Sequence, residues 1–278
     1  DYTLEPMQQR NFNFSYMFQY NDINIYEKGN RAYNTTYKYH LAEFGFSDVW
    51  YKNFRFGLGL RFEYYKYKDF LFKQPELIDL KVESEHFLSY FAQIHYNTYD
   101  KGYFPAKGSD FKAAYSLYTD NMAQYNEHAP FSALSASWAS VLPITRRFSV
   151  IPSIYGRILI GRNFPYPLQN AIGGEVPGFY IPQQLPFAGV NNIELMDNAI
   201  MIASLKLRQR MGAIHYLILT GNYGLTDSHF FKILKGKQLF GISAGYGMDS
   251  VFGPLEISLG YSNQTDKASC FVNLGYYF

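Results

Sequence analysis

The chain has one cysteine, Cys270, so no disulfide can form within it, and the thiol reads as a small apolar filler. It has no run of about 18 apolar residues, which excludes a transmembrane helix but not a barrel, whose strands carry only alternating signals. No basic and then apolar segment opens it, so no signal peptide is read and the chain is expected to be mature or cut from something longer. An excess of one charge is also missing. With 25 basic residues against 23 acidic ones, there is no electrostatic footprint for nucleic acid. No G-x-S-x-G elbow exists. Gly45-Phe46-Ser47-Asp48-Val49 lacks the second glycine and is expected at a hairpin turn.

What the chain does have is aromatic residues, 27 Tyr and 25 Phe, placed by alternation. Side chains on a strand point to opposite faces in turn. In Phe54–Tyr64 one face is all Phe, Leu or Tyr, while the other carries Arg55, Gly57, Gly59, Arg61 and Glu63. Phe12, Phe14, Tyr16, Phe18 and Tyr20 share a face, as do Met201, Ala203, Leu205 and Leu207, and Leu255, Ile257, Leu259 and Tyr261. The last strand runs Cys270, Val272, Leu274, Tyr276 and Phe278 on one face and stops on an aromatic. Leu274, Tyr276 and Phe278 thus read as a C-terminal assembly signal of an outer-membrane strand. The phase breaks near Ala42, where a bulge is expected.

The fold expected is all-β: a transmembrane antiparallel up-and-down β-barrel, one domain over residues 1–278. About twelve strands are read, at roughly 10–20, 33–46, 53–67, 81–98, 109–120, 131–144, 147–162, 197–210, 214–226, 238–249, 254–263 and 268–278. Odd-numbered connections are long (21–32, 68–80, 163–196, 227–237). Even-numbered ones are mostly tight, which is the outer-membrane layout and puts both ends on the periplasmic side. Lipid leaves no partner for a bare strand edge, so if these 278 residues are the whole chain the first strand is expected to pair with the last. Arg55, Arg61, Glu63, Lys112, Lys206, Arg208 and Glu256 then line a wet lumen. The equally simple account is a solvated strand face without selectivity.

Three segments resemble the BamA-like superfamily of outer-membrane assembly and translocation barrels (the bacterial surface antigen family). Asp100-Lys101-Gly102-Tyr103-Phe104-Pro105-Ala106-Lys107-Gly108 resembles the family turn D-(R/K)-G-x-F-P-(T)-x-G. Ile172-Gly173-Gly174 opens a long loop, as in the family's sixth extracellular loop. Gly253-Pro254-Leu255-Glu256-Ile257-Ser258 resembles the element before the last two strands. The resemblance covers roughly residues 35–278. Pro105 fixes φ and Gly108 permits φ > 0, so the turn is expected to have one shape.

The resemblance implies sixteen strands, five of them after the long loop. Five follow it here and seven precede it, so four strands and the periplasmic POTRA domains are expected to be missing. It also implies an R-G-F/Y loop motif whose arginine folds into the lumen against an inward acid. The candidates here are Val176-Pro177-Gly178-Phe179 and Pro186-Phe187-Ala188-Gly189, and neither has the arginine. The acid's position aligns with Asn222. Losing both charges together leaves no orphan in the lumen. The run Gly173-Gly174 followed by Leu185-Pro186-Phe187-Ala188-Gly189 is similar to the C-terminal barrels of patatin-like outer-membrane proteins, whose lipase domain lies upstream.

No catalysis is expected in this chain. An outer-membrane phospholipase would use His-x-Ser, and none of the six histidines has a serine two positions on. In Asp227-Ser228-His229 adjacent side chains are expected to point apart. No metal cluster and no cofactor are implied. The expected role is a membrane anchor or a translocation or passage channel in the bacterial outer membrane. A protein insertase with missing POTRA domains, a simple solute channel and a phospholipase are the alternatives. Expected partners are outer-membrane lipid, the assembly machinery during biogenesis, and POTRA or patatin domains of the same polypeptide. The loop at about 163–196, rich in proline and glycine, is expected to fold inward and plug the lumen.

Overall fold

Strands that are greasy on one face and polar on the other pair until the greasy faces form one continuous wall. The computed structural model describes residues 9–51, 53–72, 84–125, 129–178 and 180–275. Its main strands before the long loop are β1 (Gln9–Glu27), β2 (Asn30–Tyr51), β3 (Phe54–Phe72), β4 (Glu85–Asn97), β5 (Gly108–Thr119), β6 (Phe131–Pro143) and β7 (Phe148–Ile160). The loop carries the short strands β8 (Asn170–Ile172), β9 (Gln184–Leu185) and β10 (Leu195–Asp197). After it come β11 (Ala199–Arg210), β12 (His215–Asp227), β13 (Lys237–Ser250), β14 (Gly253–Ser262) and β15 (Lys267–Leu274). One antiparallel sheet of twelve strands runs β1 to β7 and then β11 to β15, and the three loop strands form a small sheet of their own.

The outer wall is apolar along its length. Phe12 and Phe14 are 75% and 74% exposed, and Leu205, Ile257 and Val272 also face outward. The buried core lies inside the sheet, not between layers. Tyr37, Tyr39, Tyr65, Phe87, Tyr118 and Phe131 point inward from five strands and pack on Leu168, Ala171, Ile181 and Ile193 of the long loop. Stacking fixes this cluster: the Tyr118 and Phe131 rings lie 5.1 Å apart and nearly parallel. These lumen-facing tyrosines explain the phase break. The β1–β2 and β2–β3 ladders run without interruption through Ala42, and the nearest register shift is at Thr36/Tyr37. The apolar phase changes there because β2 buries Tyr37 and Tyr39 inward against the loop, while Phe44 faces out.

The 21–32 connection is strand instead of loop. β1 and β2 continue to a two-residue turn at Lys28 and Gly29, both at positive φ, as a primed hairpin turn requires. The polar run that suggests a loop is a paired ladder, in which Asn34 Nδ2 donates to Asn24 Oδ1 at 3.1 Å and to Asp22 Oδ1. Ser47 likewise lies within β2, where its hydroxyl accepts a bond from Asn13 Nδ2 at 3.2 Å. The tight turn follows it.

The expected pairing of first and last strands is absent among the described residues. β1 and β15 are the two ends of the strand order. The long loop stands where a ladder would form. Ile193 bridges Ile25 in parallel and accepts the Tyr26 N–H at 2.8 Å. Asn191 Nδ2 donates to Cys270 O on β15 at 2.6 Å. Lys267 Nζ, at the start of β15, donates to Gly29 O and Asn30 Oδ1 at 3.2 and 2.9 Å. The sheet therefore curls until its edges meet at one rim, with the loop between them. Tyr276 and Phe278 of the C-terminal pattern lie outside the described residues. Leu274 is on the outer face.

Candidate functional site

The long loop begins on β7. Arg157 points inward and donates from Nη1 to Leu168 O at 2.8 Å and to Asn170 Oδ1, and Asn170 Nδ2 returns bonds to Arg157 O and Asn198 O at 2.8 Å. Gln184 ties the loop's middle, donating to Gly173 O and to Val176 O while accepting the Tyr180 N–H. The loop then reaches the far wall. Phe187, fully buried, donates its N–H to Gly174 O at 2.8 Å. Its ring lies on Gly224 of β12 and Gly241 of β13, and a Cβ at Gly241 would stand 2.7 Å from it. Next to it the Ala188 N–H donates to Asn222 Oδ1 at 2.9 Å. Gly189, at φ +76°, lies against the backbone of Tyr261 in β14, where a side chain has no space. Glu175 accepts from Gly189 N–H and from Ser243 Oγ of β13, at 3.3 and 3.2 Å.

Of the two candidate segments for the missing arginine motif, the second makes the wall contact. Pro186 and Phe187 border the same cavity as Asn222. Gly178 is exposed, with nothing within 4 Å of the place a Cβ would take, and Phe179 lies outside the described residues. An amide–backbone hydrogen bond stands where an ion pair is expected by resemblance, and the carboxylate bonded at the latch, Glu175, comes from the loop.

A second segment enters the lumen, from the β4–β5 connection. The β4–β5 turn is tied by Asp100 Oδ1, which accepts the Ala106 and Lys107 N–H groups at 2.8 and 3.4 Å, and by Gly108 at φ +107°. Gly102 meets nothing and is not required by space. Phe104, held at φ +46°, crosses the lumen and stacks on Tyr216 of β12 at 4.5 Å and 14°. Arg208 of β11 donates to Pro105 O, and Lys101 Nζ binds Asp249 Oδ2 of β13 at 2.9 Å. Burial alone would lower the Lys101 ammonium, but the Asp249 carboxylate and the Tyr216 hydroxyl together outweigh this and leave its pKa raised. The motif is legible in the sequence; its destination, more than a hundred residues along the chain, is not.

Between the loop and the turn is a cavity of about 300 Å³ bordered by Phe104, Phe187, Lys206, Arg208, Asn222 and Glu256. A larger one of about 930 Å³ runs along the other wall past Arg55, Arg61, Glu63, Lys112 and Arg157. Arg61 is bonded to Glu43 through Nε and Nη2 at 3.0 and 2.8 Å and lies over the Phe91 ring. Arg157, Asn170, Glu175 and Gln184 are site residues that the motif reading missed. Strand parity alone places Arg157 in the lumen, but the three loop residues carry no local signal. In the 227–229 segment the structure corrects the expected divergence: Ser228 Oγ lies 2.9 Å from His229 Nδ1. Asp227 binds the His229 backbone amide and not its ring, so no triad is assembled.

Known proteins place this architecture. Haemophilus ducreyi BamA lacking POTRA domains 1–3 superposes with a TM-score of 0.67 at 14% identity, over 96% of this chain and 58% of that one. CdiB from Escherichia coli gives 0.58 at 14% identity, over 92% and 46%. The chain thus spans about half the length of these structures. No curated protein matches it in sequence. A family model described as the OMP85 superfamily matches residues 7–278. Matched over nearly its whole length and folded like these barrels, the chain is an outer-membrane β-barrel belonging to the OMP85 superfamily.

Proposed function

We propose that this barrel is a gated passage of the outer membrane, closed at rest by its long loop from one side and by the β4–β5 turn from the other, and that its role is transport or assembly, not catalysis. The observation that carries this reading is the latch at Phe187 and Ala188, which fastens the loop to the wall through Gly241 and Asn222. One aromatic ring, the Asn222 amide and the Glu175–Ser243 hydrogen bond release more readily than a buried ion pair, whose separation leaves an uncompensated charge. That suits a plug which moves. Deleting 175–188 raises ion conductance across a planar bilayer. Unchanged conductance would mean the loop never obstructs the path.

The second reading is an anchor for a domain upstream, as in patatin-like outer-membrane proteins. The loop sequence Leu185-Pro186-Phe187-Ala188-Gly189 supports it, since the residues of that resemblance are the ones seated on the wall. A protein insertase with POTRA domains upstream is a further form of the passage reading. An anchor keeps its conductance low through every condition that loads the attached domain, whereas a passage opens when cargo is supplied.

A further inference from the structure

The connection between β12 and β13 lies on the outside of the barrel. It forms a 3-10 helix, Phe230–Lys235, with three residues per turn, so residues three apart share a face. Ile233 is the inner face, while Phe230 is part-exposed, with its ring 5.4 Å from that of Phe231. Ile233 is buried against Ile158 of β7, Ala199 of β11 and Leu225 of β12. These three belong to the outward set of their strands, in register with one another or with exposed Leu134 and Met201. The helix therefore packs on the outer wall, in line with the surface that meets lipid, and does not roof the mouth. Its second face is Phe231 and Leu234, 93% and 79% exposed. Its third is Lys232 and Lys235, both exposed.

We propose that this segment is an outer-leaflet lipid site: Phe231 and Leu234 enter the acyl boundary while Lys232 and Lys235 hold anionic headgroups above it. Two large apolar side chains directed into water would gain nothing from their placement. Directed into lipid, they extend a belt that already includes exposed Tyr223 and Phe240 on the same two strands. Paired apolar and cationic faces are the signature of a segment lying in the membrane interface. Long lysine stems allow the charge to reach the headgroups while the stem stays in the apolar layer.

The test uses the chain's single cysteine. On a Cys270→Ser background, spin labels go on Phe231→Cys and Leu234→Cys, with Leu205→Cys as the lipid reference and Ala123→Cys, in the exposed β5–β6 loop, as the water reference. The labelled barrels are reconstituted in phosphatidylcholine vesicles with and without phosphatidylglycerol. Positions 231 and 234 should collide with oxygen in preference to a nickel chelate, as position 205 does. Anionic lipid should strengthen that preference, by about fivefold in lipid-to-water distribution per lysine. Lys232→Gln with Lys235→Gln should abolish the gain. If the labels follow position 123, the segment is in water and the proposal fails. If they are shielded from both agents, protein covers it, for instance a second copy, and the proposal fails equally. Phe231→Trp, with Trp50 and Trp138 changed to Phe, repeats the measurement by brominated-lipid quenching without any label.

Discussion

A side chain's tolerance to change in this barrel depends on which medium it faces. Leu60, mid-strand in β3, pairs with outward Phe44 and Tyr90. An arginine there places a charge on the lipid face, at a cost of roughly 2–4 kcal/mol near the midplane. Ser137 of β6 faces the larger cavity, so Ser137→Arg should leave stability within about 0.5 kcal/mol of the parent. Urea unfolding in vesicles checks both, and equal losses would contradict the assigned faces. The inward glycine beside Leu60 is not a substitute for Ser137, although alternation alone suggests it. A Cβ at Gly59 would stand 2.8 Å from the Gly45 Cα and 2.9 Å from the Phe91 ring. Alternation reports a residue's face and is silent about the space beyond it. For the same reason the outer wall was legible in the sequence and much of the lumen was not. Lipid demands apolar residues at every outward position, while the lumen accepts Arg55 in a wet cavity and Tyr39 in a packed core.

At the scale of elements, all twelve main strands were readable from period-two patterns, and errors fell where a strand leaves the membrane. β1 and β2 extend as a polar hairpin whose residues satisfy one another, so composition read it as loop. The loop and the turn were recognisable as elements, but their partners were not, since no local pattern reports what Phe104 or Phe187 will touch. The turn's grip is testable. Its hold on the wall includes a ring stack, an arginine-to-carbonyl bond and a partly exposed ion pair, of which the last contributes least. Phe104→Ala with Arg208→Ala should release it, deuterium uptake at 100–107 should rise, and conductance should increase beyond that of the 175–188 deletion alone. If uptake rises while conductance stays at the single-deletion level, the turn is mobile without being a gate.

The whole molecule is a curled sheet whose two edges are joined at one rim by side chains and by the long loop. The family match spoke for a barrel, yet strand patterns could not show that this loop stands between β1 and β15. Glu194 is central to that junction. It accepts the Gly29 N–H at 3.1 Å, its backbone C=O accepts from Gln264 Nε2 at 3.4 Å, and its neighbour Ile193 pairs with β1. Burial raises its carboxyl above the ordinary 4.5, and Glu27 adds to this, while the Gly29 N–H, Lys267 and Lys237 oppose it without cancelling it. A raised folded-state pKa means the folded rim binds the proton more tightly than the unfolded chain does. Its stabilising contribution is complete below pH 4.5 and is lost as pH rises through the raised value. Glu194→Gln keeps an acceptor for the Gly29 amide and removes the charge. The variant should therefore be more stable than the parent at pH 7, and the two should converge as pH falls toward 4.5. Thermal unfolding in vesicles across that window reads the difference. A variant less stable than the parent at pH 7, with the deficit shrinking toward acid, would show that the ionised carboxylate holds the junction through Lys267, and that burial is not what governs it.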